Sequence, residues 1–162
     1  MTPKTIAEII HRSIDSIECY KTTETDEHLV ALTFLMATGA EDSFHTNPLR
    51  HGMMGLTRDE FHVLVYDHIR IHEKMVNDIS NICLVDVKND SFDDLFEALM
   101  YNVAFQAVIT WCYYRVRLGD MPRDIESAVN AYFTAWERNS IIDAEDVEDA
   151  TTTLINWLNK AT

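Results

Sequence analysis

An all-α fold follows from three features of this sequence: a scarcity of turn-forming residues, apolar residues repeating at helical spacing, and polar cap signals at the breaks between them. Four Gly and three Pro in 162 residues, with 47% hydrophobic residues, supply too few turns for a β sandwich or barrel. The length is that of one domain, and at this size roughly two thirds of the unfolded surface can be buried. No internal repeat, low-complexity tract or linker interrupts the chain, so residues 1–162 read as a single domain of about six helices.

Ile6, Ile9, Ile10, Ile14 and Ile17 recur at helical spacing and predict an amphipathic first helix over 4–20, with Glu8, Arg12 and Asp15 on its wet side. The TTETDE run at 22–27 reads as a loop. Residues 28–37 are apolar nearly all round and predict a second helix central to the core, carrying Glu41 at its C-terminal end. Pro48, Gly52 and Gly55 mark 42–56 as an irregular connection, and Thr57-Arg-Asp-Glu60 reads as a capping box opening a third helix to about Ile79. Asp90 or Ser91 caps a fourth helix that Gly119 stops. Pro122 opens a fifth through Trp136, and Asp143 caps a sixth ending near Leu158.

Three cysteines, Cys19, Cys83 and Cys112, are odd in number, share no CxxC spacing and lie in apolar stretches, which predicts free buried thiols and a reducing compartment during synthesis. A formal charge of −14 without a basic stripe excludes nucleic acid and anionic membrane surfaces as expected partners. The N-terminus turns polar at His11 and Arg12, and no apolar run reaches membrane-spanning length, so neither a signal peptide nor an integral segment is expected.

Glu41 is the first candidate for chemistry. An acid at the end of an apolar helix, beside Phe44 and the Met53-Met54 pair, could be held protonated as a general acid must be; alternatively it faces water at a helix end. A second candidate is His68 and His72, four residues apart beside Asp67 and Glu73. That spacing can share a metal ion, but no HExxH order occurs and a third ligand would have to come from elsewhere, so no metal is expected and a solvated face explains the pair. Trp111, Tyr113, Tyr114, Tyr132, Phe133 and Trp136 could line a cleft by stacking, although core packing explains most of them. The acids Asp143, Glu145, Asp146, Glu148 and Asp149 suit the start of the last helix and could dock a basic neighbour.

ATGAEDSF at 37–44, GMMG at 52–55 and TRDEF at 57–61, in that order, resemble the acid-bearing turn of phage lytic transglycosylases. In that group a helix ends in a Glu and is followed by a Gly-x-x-Gln turn and a Thr-led helix start. LMYNVAFQAVITWCYYRV at 99–116 is similar to its Asn- and Gln-bearing helix, and MPRDIESAVNAYFTAWERNS at 121–140 to its closing segment. The resemblance spans most of the chain. It implies a lysozyme-like fold, a place in a virion tail or baseplate among other proteins of that assembly, and a peptidoglycan glycan strand as substrate, with no cofactor. It also implies that Glu41 protonates the glycosidic oxygen, with Phe44, Met54, Asn102, Gln106 and Asn139 on the substrate side. One acid suffices for such a reaction, because the same residue, now a base, deprotonates a hydroxyl of the sugar that closes onto the anomeric carbon. The sequence departs from the group's pattern at Gly55, where Gln is expected, and at Arg58 and His62, where His and Trp are expected, which removes substrate-gripping groups. A structural assembly module that keeps the fold without turnover is the alternative these departures imply.

Overall fold

The computed structural model describes residues 2–38, 56–136 and 144–162. Among the described residues the regular structure is helical throughout: α1 (Pro3–Asp15), α2 (Glu24–Thr38), α3 (Arg58–Val63), α4 (Glu73–Cys83), α5 (Phe92–Tyr101), α6 (Val103–Leu118), α7 (Ile125–Trp136) and α8 (Ala144–Ala161). The all-α expectation holds, but six helices become eight because two of the expected ones are broken.

The first break lies in the expected third helix. The capping box forms as predicted: Thr57 Oγ1 accepts from the Glu60 N–H at 3.1 Å, and α3 begins. Over Leu64–Ile69 the helix then widens into a π turn, with the Arg70 N–H reaching back five residues to the Val65 carbonyl at 2.8 Å. The Arg70 side chain leaves the helix to donate to the carbonyls of Val87 and Asp90 and stacks 4.2 Å from the Tyr66 ring centre. His72 ends the interruption as the N-cap of α4, its Nδ1 accepting from the Met75 N–H. His68 and His72 are therefore not successive turns of one α-helix.

The second break falls at Asn102. Its backbone is extended, at φ −94° and ψ 97°, and it closes α5 and opens α6, which meet at 108°. Asn102 Oδ1 accepts from the Phe105 N–H, while Nδ2 donates to the Cys83 carbonyl at 3.0 Å. The carboxamide thus satisfies groups at the ends of two helices at once, which is why the chain bends here without exposing backbone.

Helix α6 is the axis of the domain. Every residue from Phe105 to Tyr114 is buried, and α1, α2, α4, α5, α7 and the π turn pack around it. Helix α2 is the second buried helix, with Leu29 through Leu35 all inside, as its all-round apolarity predicts. Phe61 anchors α3 among Phe92, Phe96 and Phe105.

The expected loop at 22–27 is a helix start. Thr23, just before α2, donates its hydroxyl to Asp26 in the first turn, and Asp26, only 1% exposed, accepts from the Trp111 indole N–H at 3.0 Å. Helix α1 ends at Asp15 rather than near residue 20; its Ile6, Ile10 and Ile14 are buried, as is Ile17 just beyond it. Ser91 caps α5, Gly119 stops α6 at a φ of 73°, and Asp124 caps α7 two residues later than Pro122. Helix α8 runs to Ala161, past the expected end near Leu158. All three cysteines are free; Cys83 and Cys112 are buried and Cys19 partly so. Burial pushes the Cys83 thiol up to about 12 and does the same to Cys19, which also hydrogen-bonds Asp78, so neither is a ready nucleophile at neutral pH. No single described helix is long and apolar enough to cross a membrane.

Candidate functional site

Among the expected site residues, Glu41, Phe44, Met54 and Asn139 lie outside the described residues, as do Met53, Gly55 and Asp143. Asn102 and Gln106 lie inside, and both serve the bend between α5 and α6. Gln106 has no exposed surface, and its Nε2 donates to the Leu99 carbonyl, one of the acceptors that the end of α5 leaves open. Asn102 caps α6 and holds the Cys83 carbonyl. The Asn102 carboxamide is engaged with backbone through both of its polar atoms and that of Gln106 through Nε2, while Gln106 Oε1 is buried without a partner among the described residues.

One groove opens where α3 begins, immediately after the 52–55 segment. It has a volume of about 300 Å3 and runs between α3 with its π turn on one side and the last two turns of α6 on the other. Val63, Leu64, Val116 and Tyr113 make its apolar floor and walls, and Asp59, Glu60, His68 and Arg117 stand at its rim. The Tyr113 hydroxyl donates to the Ala135 carbonyl at 3.3 Å, which ties this wall to the last turn of α7. The groove is thus lined by α3 with its π turn and by the second half of α6, and the Tyr113 bond joins the α6 wall to the end of α7.

The π turn shapes this groove. One extra residue per turn displaces the outward face, so Leu64, Val65 and Ile69 remain buried while Asp67 and His68 turn to solvent, and His68 is brought opposite Val116. On its other side His68 lines a small apolar hollow of about 60 Å3 with His72, Tyr20, Trp111 and Arg115. The Arg115 guanidinium there lies 3.7 Å over the Tyr20 ring. Among the described residues no group of three or more His, Cys, Asp or Glu side chains is arranged to hold a metal ion.

Arg58 and His62, where the sequence departs from the resembled pattern, have packing roles. The Arg58 guanidinium pairs with Asp93 and lies 4.8 Å over the Phe92 ring, and His62 stacks on Tyr66 at 4.3 Å. Of the aromatics considered for a cleft, Trp111, Tyr114 and Phe133 are core residues, and Tyr113 alone among the buried ones reaches the groove. One feature was legible in the sequence but missed: Thr23-x-x-Asp26 marks the start of α2 inside a run that reads as a loop.

A second concavity, about 260 Å3, lies between α1, α2 and α8, where His11 Nδ1 meets Glu27 Oε1 at 2.9 Å. That contact raises the His11 pKa above 6.5, through the hydrogen bond first and the carboxylate charge second. Compared with family models, curated proteins and solved structures, the chain matches none of them.

Proposed function

We propose that this chain is a lysozyme-like virion protein of a phage tail or baseplate that binds peptidoglycan glycan strands and cleaves them as a lytic transglycosylase, with Glu41 as general acid and then base. The observation that carries the reading is the groove between α3 and α6. It begins at the helix start that follows the acid-bearing turn in sequence, and it combines an apolar floor with charged and hydrogen-bonding rims. A sugar ring needs that combination, because its C–H faces pack on apolar side chains while its hydroxyls seek polar partners. At the rim Arg117 and His68 face Asp59 and Glu60, so donors and acceptors for sugar hydroxyls stand on both sides of the groove. Glu41 donates a proton to the glycosidic oxygen in the first step. In the second it accepts the proton of the sugar hydroxyl that attacks the anomeric carbon, leaving an anhydro end without a second carboxylate.

A structural reading is favoured by one specific observation: Asn102 and Gln106, expected on the substrate side, are both engaged with backbone. On that reading the chain is an assembly module of the same fold, without turnover. Incubation with purified cell-wall sacculi separates the two. The enzyme reading predicts release of muropeptides with anhydro ends, lost on Glu41→Gln. A parent protein that is folded and releases none would leave the structural reading.

A further inference from the structure

The small hollow that His68 shares with the second half of α6 differs from its neighbours in charge. Arg115, His68 and His72 supply its basic nitrogens, and no carboxylate lines it. The groove on the other side of His68 carries Asp59 and Glu60, and the concavity between α1, α2 and α8 carries Glu8, Glu24 and Glu27. Asp67 and Glu73, next to the two histidines in sequence, are exposed and do not line the hollow. In a chain with 27 acidic residues against 13 Lys and Arg, a concavity bordered by nitrogen donors and no acid is suited to an anion.

Arg115 is the centre of this hollow. Its guanidinium lies 3.7 Å over the Tyr20 ring centre and 5.7 Å from that of Trp111, and the Tyr20 ring in turn lies 5.5 Å from the His72 ring. Arg58 and Arg70 also stack on aromatic rings, but Arg58 pairs with Asp93 and Arg70 donates to the Val87 and Asp90 carbonyls. Among the described residues no carboxylate or carbonyl accepts from the Arg115 guanidinium, although its side chain is half-buried. A guanidinium held over two aromatic faces is oriented before a ligand arrives, and little side-chain freedom remains to be lost on binding. His72 adds a second fixed donor. Its Nδ1 accepts from the Met75 N–H as the cap of α4, so the neutral ring carries its proton on Nε2. The Trp111 N–H is already given to Asp26.

We propose that this hollow binds a carboxylate carried on a small apolar group, with the Arg115 fork donating to both oxygens and the His72 Nε2–H donating to one of them. The planar guanidinium matches a planar carboxylate through two parallel hydrogen bonds. The carbon part of the ligand packs on Ile69, Met75 and Val116. A volume of about 60 Å3 admits a group of a few heavy atoms and no more. Phosphate fits worse, because its further oxygens would meet apolar walls without donors. This inference does not depend on the glycan-cleaving reading.

The test titrates the isotope-labelled full chain with sodium propionate at constant ionic strength, followed by NMR through the indole N–H of Trp111, whose ring borders the hollow. Propionamide, of the same shape but neutral, is the control. A saturable shift at about millimolar Kd is expected with propionate and none with propionamide. Arg115→Gln should weaken propionate binding by about tenfold or more, and Arg115→Lys, which keeps the charge and loses the fork, by less. His72→Asp keeps an acceptor for the α4 cap and brings a carboxylate to the hollow, so binding should be lost with no fall in Tm. Arg123→Gln, which removes an exposed cation outside the hollow, should bind as the parent does. Acetyl-Ala-Ala binding more tightly than propionate, with its C-terminal amide silent, would assign the carboxylate to a peptide end, and the reverse order to a free acid; either supports the site. Equal shifts with propionamide, tighter binding of inorganic phosphate, no saturable shift in the parent, or unchanged affinity in folded Arg115→Gln or His72→Asp would each overturn the proposal.

Discussion

The interior of the bend around α6 and the outer face of the groove beside it use polar residues in opposite ways. Inside, Asn102, Gln106 and Asp26 spend their hydrogen bonds on backbone ends and on the Trp111 indole, and they are buried or nearly so. Outside, His68 and Arg117 are exposed at the groove, where a ligand can meet them. A polar residue in the middle of an apolar helix looks functional in sequence because nothing local explains it. Here the explanation is a helix break, and the residues free to recognise a ligand are ordinary surface ones.

The sharpest way to break that contrast is at Asp26. Replacing it with Ala leaves the Trp111 N–H buried without its acceptor, and should cost about 2–4 kcal/mol in denaturant unfolding, with Asp26→Asn costing less because a carbonyl acceptor survives. A cost below about 0.5 kcal/mol would mean that the buried carboxylate is not holding α2 to α6. Next in size, Asn102→Ala removes a cap and a tether together and should lose about 1–2 kcal/mol, while Asn102→Asp, which keeps the cap acceptor, should recover part of it.

How much could be read in advance follows the same division. The all-α class, the Thr57–Glu60 capping box, the Ser91 cap and the Gly119 stop were all legible, because each depends on residues within one turn of one another. The broken helices were not. The π turn is fixed by Arg70 reaching the 87–90 carbonyls, and the bend at Asn102 by the distant Cys83 carbonyl, and neither contact has a signature in the local pattern. Asn102 and Gln106 were therefore assigned to the substrate side by resemblance, whereas the frame that bears them is explained by packing. The groove itself was out of reach, since its two walls come from residues some fifty positions apart in sequence, such as Val63 and Val116.

The smallest expected effect concerns pH. His11 gains Glu27 as a partner on folding, so its pKa is raised in the folded chain and the folded state binds the proton more tightly. That contribution is fully present below the unfolded value of 6.5 and is lost as pH rises through the raised folded value. Tm measured across neutral pH should show a slight decline that His11→Ala removes; because the ring is largely in water, the change should be small.

Sacculus binding, measured in a Glu41→Gln background so that turnover does not intervene, tests the division between interior and groove most directly. Arg117→Ala should weaken binding to sacculi while leaving Tm within about 2 °C of the parent, and Gln106→Leu, where folded, should bind as the parent does. Loss of binding in a stable Gln106→Leu protein, together with unchanged binding in Arg117→Ala, would contradict it.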